Sequence, residues 1–237
     1  MKKIKIDGWE VSELCLGGGK MVDMSIDDGM LLVDAAIREG INIFDCHHRY
    51  GNAEEIVGKF NGCIKMTKVS AYQFTEWQPL FEKSVRLLGT VHILWVSDLD
   101  NEELYSKGKA MYQAIKQVFP SLHLGITTEE PRLAHRFAEE FPDCNLFMVP
   151  LHIEGRFTVE DVAKLKERGT VFAIKPFNDG LCFPKYTVTG CLEALRVLNP
   201  DVIVFGTKSV EHLKETVKIW EELDDVTGNI KNELPLT

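Results

Sequence analysis

Between Gly40 and Lys68 the chain reads GINIFDCHHRYGNAEEIVGKFNGCIKMTK, so that Asp45, His47, His48, Tyr50 and Lys68 fall in or beside two short apolar runs. A tyrosine phenol ionises near pH ~10, and its use as a proton donor or acceptor at neutral pH calls for a nearby cation to stabilise its anion. Lys68 is such a cation, and Asp45 is a carboxylate able to hold the ammonium in place. The same two charges would equally serve as an ion pair joining adjacent strands, with Tyr50 packed on a rim.

The elements that must position these groups follow from the apolar rhythm. Strand-length runs are predicted at Leu14 to Leu16, Ile41 to Asp45, Cys63 to Lys68, His92 to Ser97, Leu122 to Ile126, Asn145 to Val149, Val171 to Lys175 and Val202 to Phe205. Helical segments are predicted between and after them, near 27–39, 53–60, 76–88, 105–118, 130–140, 158–168, 189–198 and 210–223. Eight strands alternating with eight helices predict an α/β fold, a closed (β/α)8 TIM barrel forming a single domain over residues 1–237. An open doubly wound sheet is the rival, but Leu16-Gly17-Gly18-Gly19-Lys20 lacks the second half of the dinucleotide-binding glycine fingerprint. The opening MKKIKIDGWEVSE predicts a short N-terminal β-hairpin turning at Asp7-Gly8 and capping the bottom of the barrel. The polar stretch from Asp224 to Thr237 predicts a loosely packed tail.

In such a barrel, chemistry gathers where strands run into helices. Phe205-Gly206-Thr207-Lys208-Ser209 leads into a helix, and backbone amides, a hydroxyl and a cation at a helix start suit a phosphate. Ser209 would otherwise cap that helix, with Lys208 solvated. His47, His48 and His152 could meet at the mouth, but without His-x-His or His-Glu-x-x-His spacing no metal is expected. Lys175 would be a Schiff-base lysine if desolvated, or an anion contact or ion pair, with Asp179 as one partner.

The chain resembles the aldo-keto reductases through VSELCLGGGKM, GINIFDCHHRYGNAEEIVGK, MTKV, SVRLLGT, GIT and VIVFGTKSVEHLKETV. The resemblance implies catalytic roles for Asp45, Tyr50 and Lys68, with Tyr50 as general acid and NADPH as hydride donor to an aldehyde or ketone. It implies a cofactor-binding segment of Gly206, Thr207, Lys208 and Ser209 for the adenosine 2′-phosphate, with His212 and Glu215 on the adenine side. Four family positions differ. Leu99 or Asp98 stands where the family has its catalytic histidine, Thr128 replaces the carboxamide-binding asparagine, Ile174 a stacking tyrosine, and Met148 a glutamine. Asp98 as a protonated donor, or His47 or His48 leaning across, would supply the missing group. His47, His48, Asp98, His152 and Lys175 are the expected substrate-pocket residues.

The 237 residues carry 27 Lys and Arg against 36 Asp and Glu, a net charge of −9, which disfavours sequence-independent binding to nucleic acid or anionic lipid. No apolar run reaches the ~18 residues needed to span a bilayer, and the start lacks a secretory apolar region. Six cysteines without Cys-x-x-Cys spacing read as buried and reduced, consistent with a cytoplasmic protein. The short loops predict a shallow pocket that a second subunit would deepen, leaving a homo-oligomer open. Two other functions suit the same residues: a barrel enzyme without hydride transfer (lyase, isomerase or Schiff-base chemistry), or a nucleotide- or phosphate-binding barrel without turnover.

Overall fold

The computed structural model describes residues 1–183 and 185–233, with side chains described up to residue 223. Strands β1 (Lys3–Ile6) and β2 (Trp9–Ser12) pair antiparallel with Ile6 opposite Trp9. The two intervening residues, Asp7 and Gly8, both have positive φ (47° and 94°), as a tight hairpin turn of matching twist requires.

Eight further strands close a parallel barrel: β3 (Leu14–Gly17), β4 (Ile43–Asp45), β5 (Ile64–Ser70), β6 (Ile93–Ser97), β7 (His123–Thr127), β8 (Leu146–Pro150), β9 (Thr170–Ile174) and β10 (Val202–Phe205). Each pairs with its sequence neighbours, and β10 pairs with β3 to complete the ring. The helices are α1 (Ile26–Arg38), α2 (Ala53–Gly58), α3 (Trp77–Leu88), α4 (Glu102–Val118), α5 (Pro131–Glu140), α6 (Val159–Lys166), α7 (Val188–Leu198) and α8 (Val210–Glu233). All sixteen predicted elements are present, mostly within two residues of their expected bounds. The last helix departs most, running ten residues beyond 223 into the segment expected to be a loose tail; residues 234–237 lie outside the described residues.

Local chemistry fixes several helix starts. Ser25 accepts the amide of Asp28 at 3.1 Å, Asn101 that of Leu104 at 3.0 Å and Thr187 that of Gly190 at 3.1 Å. Thr158 and Asp161 form a reciprocal capping box, each such cap contributing about 1 kcal/mol.

Strand side chains alternate between two cores. Cys15, Ile43, Met66, Ile93, Trp95, Leu146, Met148, Phe172 and Val202 fill the barrel, with Ile6 and Val11 of the hairpin closing its bottom. Trp95 and Phe172 meet edge to face, centroids 5.0 Å apart, and a side chain at Gly125 would overlap the Trp95 ring. The intervening residues, such as Leu16, Phe44, Val69 and Val96, pack outward against the helices. All six cysteines are buried and unpaired. No helix among the described residues is long and apolar enough to cross a membrane.

Candidate active site

The same alternation that sends Ile43 and Met66 into the barrel interior brings Asp45 and Lys68, two residues further along, to its upper end. Asp45 ends β4, and Lys68 lies on the adjacent β5. Both Asp45 carboxylate oxygens accept from Lys68 Nζ, and the two side chains are only 4% and 6% exposed. Burial alone would push the ammonium down, but Asp45 and Tyr50 raise Lys68 above the usual lysine range. Burial also raises Asp45, against the pull of Lys68. The bidentate contact favours the charged form of each partner against the cost of burial.

Tyr50 follows on the turn between β4 and α2, its amide donating to the His47 carbonyl at 2.8 Å. Lys68 Nζ lies 5.7 Å from the centre of the Tyr50 ring. The ammonium is the strongest single influence on the phenol and lowers its pKa, yet burial and Asp45 together leave it above the ordinary tyrosine value. Tyr50 is therefore a neutral, proton-bearing phenol at physiological pH. Gly18 and Gly19 run beside it, and a Cβ on Gly19 would come within 3.6 Å of the ring.

Asp45, Lys68 and Tyr50 share one wall of a cavity of about 490 Å³ at the mouth. Gly17, Gly19, Lys20, Val204 and Gly206 form the floor on the β3 and β10 side. Ile174, Phe177 and Phe183 supply an apolar wall from β9 and the connection that follows. From that connection Lys175, Pro176, Phe177, Asp179, Gly180 and Phe183 line the cavity.

Of the five expected substrate residues, Lys175 lines this cavity and the other four do not. His47 packs against Tyr50, ring centres 5.3 Å apart, but is 3% exposed and off the cavity wall. Its Nδ1 accepts the Arg49 amide at 2.9 Å; burial, aided by the positive charges of Lys68 and Arg49, lowers its pKa to about 2, so it is neutral. The His48 ring lies tilted against His47, centres 4.2 Å apart, and its pKa is likewise lowered, chiefly by burial. His152 is lowered too, chiefly by burial. Among the described residues no three His, Cys, Asp or Glu side chains come together in a way that could hold a metal.

The histidine position of the resemblance resolves into two different environments. Leu99 is fully buried and points outward at α4, where a Cβ on Gly108 would lie 2.6 Å from its Cγ. Asp98, at a positive φ of 67°, turns toward the mouth, and its Oδ2 accepts from Ser70, from Ser97 at 3.1 Å and from Arg49 at 3.2 Å. One carboxylate oxygen of Asp98 thus gathers the Ser70 and Ser97 hydroxyls and the Arg49 guanidinium. Arg49, missed in the sequence, is legible only as a polar residue beside Tyr50.

Lys175 Nζ bonds Glu129 at 2.6 Å and lies 3.9 Å from Asp179. Burial would lower this ammonium, but its acidic neighbours raise it overall, so it is a charged ion-pair lysine rather than a neutral amine. Thr128 is buried, its hydroxyl donating to the Leu99 carbonyl at 2.9 Å.

At the start of α8, Ser209 Oγ accepts the His212 amide at 3.2 Å and donates to Glu211 at 2.7 Å. Thr207 accepts the Ser209 amide at 3.1 Å, and Lys208 reaches Asp23 at 3.4 Å. His212 and Glu215 are exposed on the helix and line neither neighbouring cavity.

No protein-family model and no curated protein matches the sequence. Solved structures do match. A Pseudomonas aeruginosa protein assigned as an aldo-keto reductase aligns over 91% of this chain and 92% of its own, at 19% identity and a TM-score of 0.74. The holo form of an aldo-keto reductase from Bacillus halodurans aligns over 100% of this chain and 93% of its own, at 18% identity and a TM-score of 0.72. An aldo/keto reductase from Brucella melitensis covers 92% of each chain at 18% identity and a TM-score of 0.67. The chain has the aldo-keto reductase fold. The shared fold includes the closed barrel of eight strands predicted from the sequence.

Proposed function

We propose that the protein is an aldo-keto-reductase-type oxidoreductase that reduces an aldehyde or ketone to an alcohol, with Tyr50 as general acid and a reduced nicotinamide dinucleotide as hydride donor. The observation that carries this reading is the buried Asp45–Lys68 pair set 5.7 Å from the Tyr50 ring on the wall of one cavity. A plain ion pair between strands has no need of a phenol beside it or of an open cavity above it.

The residues present fit the redox end of such a cofactor. Gly17, Gly19 and Gly206 put bare backbone on part of the cavity floor, and a Cβ on Gly206 would come within 3.1 Å of Lys20 Cγ and 3.3 Å of the Gly17 carbonyl. Ile174 and Phe177 offer an apolar face to a flat ring. The bound cofactor would supply hydride to the carbonyl carbon.

The chain's own groups manage the other half of the reduction. As charge develops on the carbonyl oxygen, the Tyr50 hydroxyl donates its proton there, completing the alcohol. The phenolate left behind is stabilised by the Lys68 ammonium, held by Asp45 in a site of low dielectric where such a charge counts for more than in water. No imidazole lines the cavity, so polarisation of the carbonyl rests on the Tyr50 hydroxyl and the Lys68 field. Tyr50 then regains a proton from solvent through the mouth.

Tyr50→Phe tests the reading, because it keeps the ring and removes only the proton. Turnover of an aldehyde panel, followed by nicotinamide absorbance, should fall by about 10²–10⁴ with cofactor affinity unchanged. Full activity in Tyr50→Phe would refute it.

A further inference from the structure

The cofactor expected from the sequence carries a 2′-phosphate, and the place expected to hold it does not fit one. A second cavity, of about 480 Å³, opens between the starts of α1 and α8 and is lined by Asp23, Ser25, Asp28, Lys208, Ser209 and Glu211, among others. Its charged groups are three carboxylates against one ammonium. Each serine hydroxyl is already turned to an acid: Ser25 donates to Asp28 at 2.6 Å and Ser209 to Glu211 at 2.7 Å. The cation, Lys208, faces Asp23 at 3.4 Å. A phosphate entering here would have to break these contacts and lie among like charges.

A sugar diol meets the opposite situation, since ribose hydroxyls donate and carboxylates accept. An acidic side chain on the ribose 2′-hydroxyl is the general means by which dinucleotide sites take NAD and refuse NADP. Positive charge is placed elsewhere. Lys20 lines the first cavity beside Gly206, between the Lys68 end and the start of α8, and makes no ion pair among the described residues. That position suits the diphosphate bridge of a dinucleotide whose nicotinamide lies near Tyr50.

We propose that the protein uses NADH in preference to NADPH, with Asp23, Asp28 and Glu211 receiving an unphosphorylated ribose and Lys20 facing the diphosphate. This rests on the reductase reading above. Discrimination of this kind is a difference of affinities created partly by repulsion of the wrong ligand.

The experiment is a binding titration of the full chain with NADH and NADPH at one ionic strength, read by nucleotide fluorescence and calorimetry. A parallel pair of probes, 5′-AMP and adenosine 2′,5′-bisphosphate, examines the adenosine end without the nicotinamide. NADH is expected to bind at least about tenfold tighter than NADPH, and the bisphosphate no tighter than 5′-AMP. In Asp23→Asn/Glu211→Gln the ratio of NADH to NADPH affinity should narrow several-fold; an unchanged ratio overturns the assignment of those residues. NADPH binding as tightly as NADH overturns the proposal while leaving the reductase reading in place. Failure of both dinucleotides to bind at millimolar concentration overturns the two together.

Discussion

Replacing Lys68 by Met removes the only described ion-pair partner of Asp45, whose side chain is 4% exposed. Breaking one half of a buried pair costs about 3–5 kcal/mol, because the remaining charge has neither water nor counter-ion. For a chain of this length that corresponds to a loss of roughly 6–20 °C in Tm, at about 2–4 °C per kcal/mol. Asp45 has one escape, which is to take up a proton. Burial already raises its pKa, and without Lys68 it rises further. The folded variant then binds more protons than the unfolded chain above the ordinary aspartate pKa, so its stability falls as pH rises through that window. Urea unfolding should therefore show Lys68→Met closer to wild type at pH 5 than at pH 8. Asp45→Asn/Lys68→Met, which leaves no buried charge at either position, should recover part of the loss. A deficit under ~1 kcal/mol, or one independent of pH, would refute the buried-pair account.

The neutral state of His47 gives a second pH signature. Its folded pKa lies near 2 while the unfolded imidazole protonates near ~6.5, so below that value the unfolded state binds the extra proton and stability declines as pH falls. The slope is about 1.4 kcal/mol per pH unit, and His47→Gln should flatten it in urea midpoints between pH 7 and 5. Leu99→Ala should cost about 2–5 kcal/mol through the cavity it opens against α4, with kcat for any carbonyl substrate preserved. Borohydride treatment with a carbonyl compound should leave no adduct on Lys175, since Glu129 holds that amine protonated; a trapped adduct would favour Schiff-base chemistry.

Much of the fold was legible because a barrel is built from repeated local signals. The runs around Phe44, Val96 and Phe147 are strand-length and apolar on both faces, and the segments between them carry helical apolar spacing. The reach of α8 to Glu233 was not legible, because its last turns lack the apolar spacing that announced the earlier ones. The Asp45, Tyr50 and Lys68 grouping was readable because strand parity places Asp45 and Lys68 at adjacent strand ends.

The sequence by itself determined the alternation of strands and helices, the hairpin turn at Asp7 and Gly8, and the three polar residues at the upper end of β4 and β5. Those features depend on residue periodicity and backbone preference, which are local. The tertiary structure decided which charges are free and which are spent: Lys175 on Glu129, Asp98 on Arg49 and two serines, Lys208 on Asp23. It also decided that Leu99 faces outward, that the histidines lie off the cavity wall, and that acids gather at the start of α8. Partners such as Lys208 and Asp23, 185 positions apart in the chain, meet only when the barrel closes, and no spacing rule in one dimension encodes that distance.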